Sequence, residues 1–91
     1  MNASRRLHPP TLADAAIGQP LTVAAVAAPG GAPEWAGQLH DLGFVAGERV
    51  QLMARGVGGD PLVVRVGHST YALRRAEAAC VHVRPEAAPH A

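Results

Sequence analysis

A mainly β domain, built as a small five-stranded barrel with one principal α-helix and short helical turns, is what three features of this sequence predict. Short runs rich in β-branched residues recur between turns marked by glycine and proline. Only one segment carries a sustained helical apolar period. The 91 residues suffice for one core, and a chain of this size buries only about 60% of the surface its unfolded form exposes. Aromatic residues make up 3% of a sequence that is 48% hydrophobic, so the core must be assembled mainly from alanine, valine and leucine.

Residues 1–10 and 85–91 combine proline, alanine and charge without a period and are expected to be flexible tails, leaving 11–84 as the folded unit. Thr11 followed by Asp14 resembles a capping box and predicts a short helix at 11–16, with Gly18 as a left-handed stop. Leu21 to Val26, bounded by Pro20 and Pro29, suits a first strand. Pro33 and Glu34 suit the first turn of the principal helix, near 33–42, because proline has no N–H to lose there and glutamate meets the positive end of the dipole. Trp35, Leu39 and Leu42 then share one face. With Gly43 in the left-handed region, Phe44 and Leu39 become the pair that touches in a Schellman closure.

Residues 48–55 read as a half-buried strand with Val50, Leu52 and Ala54 inward and Met53 outward. A loop at 56–61 leads to a strand at 62–66, which Gly67 and His68 reverse into another at 70–73. Arg75 to Ala78 can make one helical turn, and Cys80 to Val83 alternates as the last strand. Five short strands with glycine-marked turns point to a partly open barrel of the SH3-like kind, in which closure limits exposed edges.

All eight basic residues are arginine, set against seven acids, for a formal net charge of +1. That balance gives no broad footprint for nucleic acid. The N-terminus lacks the form of a signal peptide, and the longest apolar-rich stretch, Leu21 to Ala28, is far below the length that spans a bilayer. A soluble cytoplasmic protein without direct membrane insertion is expected. The single Cys80 excludes an intramolecular disulfide.

Four segments, in order, resemble the FeoA domain of ferrous iron transport protein A. They are Leu12-Ala13-Asp14-Ala15-Ala16-Ile17-Gly18, Leu39-His40-Asp41-Leu42-Gly43-Phe44-Val45-Ala46-Gly47, Gly59-Asp60-Pro61-Leu62-Val63-Val64-Arg65-Val66 and Ala72-Leu73-Arg74-Arg75-Ala76-Glu77-Ala78. Ala46 stands where the family pattern usually has proline. The resemblance implies an SH3-like fold and a non-catalytic accessory role in ferrous iron uptake. It also implies a bacterial partner, the FeoB permease with its cytoplasmic G-protein-containing region, which would hold the protein at the inner face of the membrane. A similar barrel closes metal-dependent repressors of the diphtheria toxin repressor type, whose DNA-binding and dimerisation domains find no room in these residues.

An enzyme needs a nucleophile beside a base, a carboxylate pair or a phosphate cradle. Gly56-Val57-Gly58-Gly59 lacks the lysine and hydroxyl of a phosphate loop and leads to a strand. Cys80 and His82, two apart, are expected to share a strand face as a semi-exposed pair. Five histidines and one cysteine invite zinc or ferrous iron, but no chelating spacing is present. His68, Cys80 and His82 are the candidate surface ligands for a metal-assisted homodimer, and no cofactor is required. His40 is expected to sit favourably at its helix end, and His8 and His90 fall in the tails. Trp35, Leu39 and Phe44 have the helical spacing of core residues; with Gly43, Met53, Arg74 and Glu77 they are also the candidate partner-binding residues, since aromatic and arginine side chains are common interface anchors. The alternative function is a regulatory SH3-like domain that responds to divalent metal or an anion through self-association. A barrel for single-stranded nucleic acid is disfavoured by the lack of lysine and of stacking aromatics.

Overall fold

The computed structural model describes residues 10–86. The expected tails, with His8 and His90, lie largely outside the described residues. Those tail boundaries need one correction, because Pro85 belongs to the last strand and the Glu86 amide donates to the Pro20 carbonyl at 3.3 Å.

The strands are β1 (Leu21–Val26), β2 (Arg49–Arg55), β3 (Leu62–Val66), β4 (Ser69–Leu73) and β5 (Val81–Pro85). Helix α1 (Glu34–Leu42) links β1 to β2, and the single turn α2 (Arg75–Ala78) links β4 to β5. The five strands pair antiparallel throughout, in the spatial order β4-β3-β2-β1-β5. The sheet curls over one core but its ladder stays open between β4 and β5, the partly open arrangement that short alternating strands favour. Gly67, at a φ of 56°, provides the reversal between β3 and β4.

Inward positions carry the core. Leu21, Val23, Leu52, Leu62, Val64 and Val81 are fully buried, and Phe44 and Leu12 are the largest side chains that join them. Alternation is cleanest on β5, where Val81 and Val83 point in while His82 and Arg84 point out. It fails on β2. The register shifts between Leu52, opposite Val64, and Ala54, opposite Val63, so Met53 is a bulge residue and Ala54 becomes exposed. A bulge adds one residue to one strand and reverses the facing of the residues after it, which is why Ala54 is not the core residue its spacing predicts.

The expected helix at 11–16 is also corrected. Only a 3₁₀ turn forms at Leu12–Asp14, with the Thr11 hydroxyl donating to the Asp14 carboxylate at 3.0 Å. The chain then turns extended at Ala15, because its carbonyls find partners outside any helix. The Arg55 guanidinium donates to Ala15 O at 2.6 Å and to Ala13 O at 3.5 Å. Ile17 and Gly18 meet β2 instead, through a bridge to Leu52 and the Gly18 amide on the Leu52 carbonyl at 2.8 Å. Leu12, Ala13 and Ala15 are thereby pressed into the core.

Candidate functional site

The C-terminal corner of α1 is built as its sequence predicts. Gly43 has φ 113° and ψ 2°, its amide donates to the His40 carbonyl at 2.9 Å, and the Phe44 amide donates to the Leu39 carbonyl at 3.0 Å. Those are the two bonds of a Schellman closure. The closure buries its residues: Leu39 is 2% and Phe44 0% exposed. Neither can touch a partner directly, which corrects their reading as contact residues and leaves them as the support of the corner. Trp35, half-buried, packs against the core from the same helix. Tyr71 of β4 meets Phe44 with ring centroids 6.3 Å apart, a contact the sequence did not signal.

Met53 is 40% exposed on the bulge of β2. Ile17, which sequence reasoning missed as a surface residue, is 58% exposed. Its backbone bridges Leu52, the residue before Met53 on β2. Gln51 reinforces that junction by donating from Nε2 to the Gly18 carbonyl at 2.6 Å. Periodicity carries no signal for Ile17, since its placement depends on a long-range bridge.

Arg74 and Glu77 surround the start of α2. The Glu77 carboxylate accepts from the Arg74 amide at 2.8 Å, and the Asp60 carboxylate accepts from the Arg75 amide at 3.0 Å. Glu77 therefore acts first as a cap, satisfying the Arg74 N–H at the turn's start. The Arg74 side chain remains exposed.

The three metal candidates are not brought together. His68, at the β3–β4 reversal, and His82, on the outer face of β5, are both exposed. Cys80 precedes β5 and is 4% exposed, with its thiol donating to the Ala76 carbonyl at 3.5 Å. The expected shared face of Cys80 and His82 is thus corrected: the strand begins at Val81, and the cysteine belongs to the inward end of the α2 connection. Burial, and secondarily the Glu77 carboxylate, push the Cys80 thiol above its ordinary pKa. This keeps it protonated and a poor ligand or nucleophile. Among the described residues, no cluster of three or more His, Cys, Asp or Glu is placed to hold a metal ion.

The sequence model of the FeoA domain matches residues 11–85, nearly all of the described chain. The chain belongs to the FeoA-domain family. That family is associated with ferrous iron transport, and its SH3-like fold is the one seen here. Among solved structures, the zinc-complexed FeoA of Stenotrophomonas maltophilia is similar at 40% identity with a TM-score of 0.74, over 80% of this chain and 87% of that one. The FeoA protein of Chlorobium tepidum is similar at 28% identity and a TM-score of 0.71, over 88% of this chain and 73% of that one. Iron(II) transport protein A of Clostridium thermocellum gives 28% and 0.70, over 82% of this chain and 44% of that one. A comparison with curated proteins gives no significant match. No helix among the described residues is long and apolar enough to cross a membrane.

Proposed function

We propose that this FeoA-family chain is a non-catalytic binding module that docks in the cytoplasm on the G-protein-containing region of an FeoB-type permease and modulates ferrous iron transport. Family membership supplies the transport context, and the observation that carries the docking role is the Ile17–Met53 flank. Two large apolar side chains stand outside the core, Ile17 at 58% and Met53 at 40% exposure, and the Ile17 backbone is bridged to Leu52, the residue before Met53. Modulation requires unequal affinity for two states of the permease, since equal binding shifts nothing. Capture of the cytoplasmic region of the FeoB permease from the same source, with and without ferrous iron and guanine nucleotide, tests this reading. Capture should depend on nucleotide state and weaken with Met53→Glu and Ile17→Glu. No capture under any condition would end the proposal, as would GTP hydrolysis by this protein alone.

The alternative reading, metal-responsive self-association, is favoured by one observation: a protein 40% identical to this one was solved with zinc. His68 and His82 are exposed on different edges of the sheet, so zinc or ferrous iron would join molecules at these side chains, and Cys80 would contribute only after local opening. Sedimentation should then show a zinc-dependent dimer that is lost in His68→Ala or His82→Ala, and a tight site in the monomer would contradict it.

A further inference from the structure

The outer face of the sheet carries a row of arginines with no acid on any of its strands. Arg84 on β5 and Arg49 on β2 are both register partners of Thr22 on β1, so they lie two strands apart, roughly 10 Å. Arg65 on β3 is the register partner of Gln51, two residues along β2 from Arg49 and so its diagonal neighbour at about 7–8 Å. Burial alternation fixes the direction of all three. Val83, Val50, Val64 and Val66 beside them point inward, and each arginine is exposed. The remaining outward positions of this row, Thr22, Gln51 and Thr70, are neutral.

Like charges on neighbouring strands oppose one another, and here only one is compensated. Arg49 pairs with Glu86 at 3.0 Å, its side chain still 79% exposed. Glu48 and Glu86 sit at the rim, where they border a groove of about 340 Å³ that also reaches Arg65 and His68. The other acids lie on α1, in the N-terminal turn and around α2, where Asp60 and Glu77 are engaged by backbone amides. Arg65 and Arg84 thus stand on this face without an acidic partner among the described residues, in a chain of net charge +1.

We propose that this arginine row is a docking surface for an acidic segment of a protein partner, one presenting at least two carboxylates about 10 Å apart. An arginine fork donates two parallel hydrogen bonds to a carboxylate, and a neutral Thr and Gln floor lets a polypeptide backbone lie close. A single-stranded nucleic acid would need stacking rings, yet Trp35 is on α1 and Tyr71 turns inward to Phe44. An anionic bilayer calls for a denser cluster of some 4–8 cations. The surface adjoins the Ile17–Met53 segment through Gln51, which donates to the Gly18 carbonyl, and its assignment to the permease rests on the docking role proposed above.

The test measures affinity of the wild type, Arg65→Glu, Arg84→Glu and the double variant for two probes, the cytoplasmic region of the permease and a deca-glutamate peptide. Both reversed positions are exposed, so the melting temperatures should match the wild type. Each reversal should weaken both probes about tenfold, and wild-type binding should fall steeply between about 50 and 300 mM salt. Permease binding that is indifferent to both reversals overturns the surface while leaving the docking role intact. Deca-glutamate binding that the reversals weaken, without permease binding, supports the surface and removes the permease as its target. Failure of both probes, or binding to phosphatidylserine vesicles in preference to the peptide, overturns the acidic-segment assignment.

Discussion

The amide of Phe44 donates to the carbonyl of Leu39 at 3.0 Å, and both side chains are buried in the core. A helix stop and a tertiary contact are therefore one object, and Gly43 between them sets its geometry. A side chain at Gly43 would find room, since an added Cβ would lie 3.8 Å from Val66. The cost is conformational.

Gly43→Val should accordingly destabilise the domain by about 1–2 kcal/mol, because a β-branched residue is penalised in the left-handed region. Gly43→Asn should lose less, as asparagine tolerates that region. Urea denaturation of the three proteins checks the order, and equal midpoints for valine and glycine would show that the closure contributes nothing.

Gly56 and Gly37 make opposite predictions. An added Cβ at Gly56 would sit 2.7 Å from the Asp60 carbonyl oxygen and 2.9 Å from Pro61 Cδ, while one at Gly37, inside α1, meets nothing within 4 Å. Gly56→Ala should cost about 1–3 kcal/mol through a backbone clash. It should also disturb α2, whose Arg75 amide depends on Asp60. Gly37→Ala should stabilise by about 0.5–1 kcal/mol. Thermal melts that move both variants in the same direction would contradict this pairing.

Local chemistry made much of the fold legible. β1, α1, the Gly43 stop and the single turn of α2 depend on side chains within a few residues of one another, so composition and period suffice. What escaped depends on distant partners. The segment 11–18 has the local signals of a helix, but Arg55 and Leu52, far along the chain, claim its backbone. The bulge at Met53 leaves the hydrophobic spacing of β2 untouched and shows only in its pairing with β3. At the candidate site Met53 could be read as outward, but Ile17 could not. Leu39 and Phe44 were legible both as a pair and, by their spacing, as core, and the structure buries both.

Cys80 should give stability an alkaline dependence. Burial first and Glu77 second raise its pKa in the folded state, so the folded protein holds the thiol proton more tightly than the unfolded chain. The contribution is fully present below the unfolded thiol's pKa, about 8.5, and is lost as pH rises toward and through the raised folded value. The urea midpoint of the wild type should fall more steeply above about pH 8.5 than that of Cys80→Ala. Alkylation by iodoacetamide at neutral pH should be slow until urea is added. Parallel pH profiles for the two proteins would remove the linkage.

Arg55 is expected to be the clamp that presents Ile17. From the end of β2 its guanidinium spans the carbonyls of Ala13 and Ala15, and the same segment continues through Ile17 to the Gly18 amide on Leu52. Arg55→Met keeps an apolar stem of similar length and deletes both donors. Loss of a partly buried charge-assisted bond should cost about 1–3 kcal/mol, toward the lower end because Arg55 itself is exposed. A global loss of stability would not distinguish a clamp from any other contact, so the informative readout is local. The Gly18 amide should exchange faster in Arg55→Met under native conditions, while amides in the β3–β4 hairpin keep their protection relative to global stability. Permease capture should weaken in parallel, because the segment that carries Ile17 is no longer held against β2. Arg55→Lys, with a point charge in place of a fork, should restore only part of either effect. If Gly18 stays protected in Arg55→Met, the β2 bridge alone fixes the segment, and any loss of capture must be traced to the arginine's own charge.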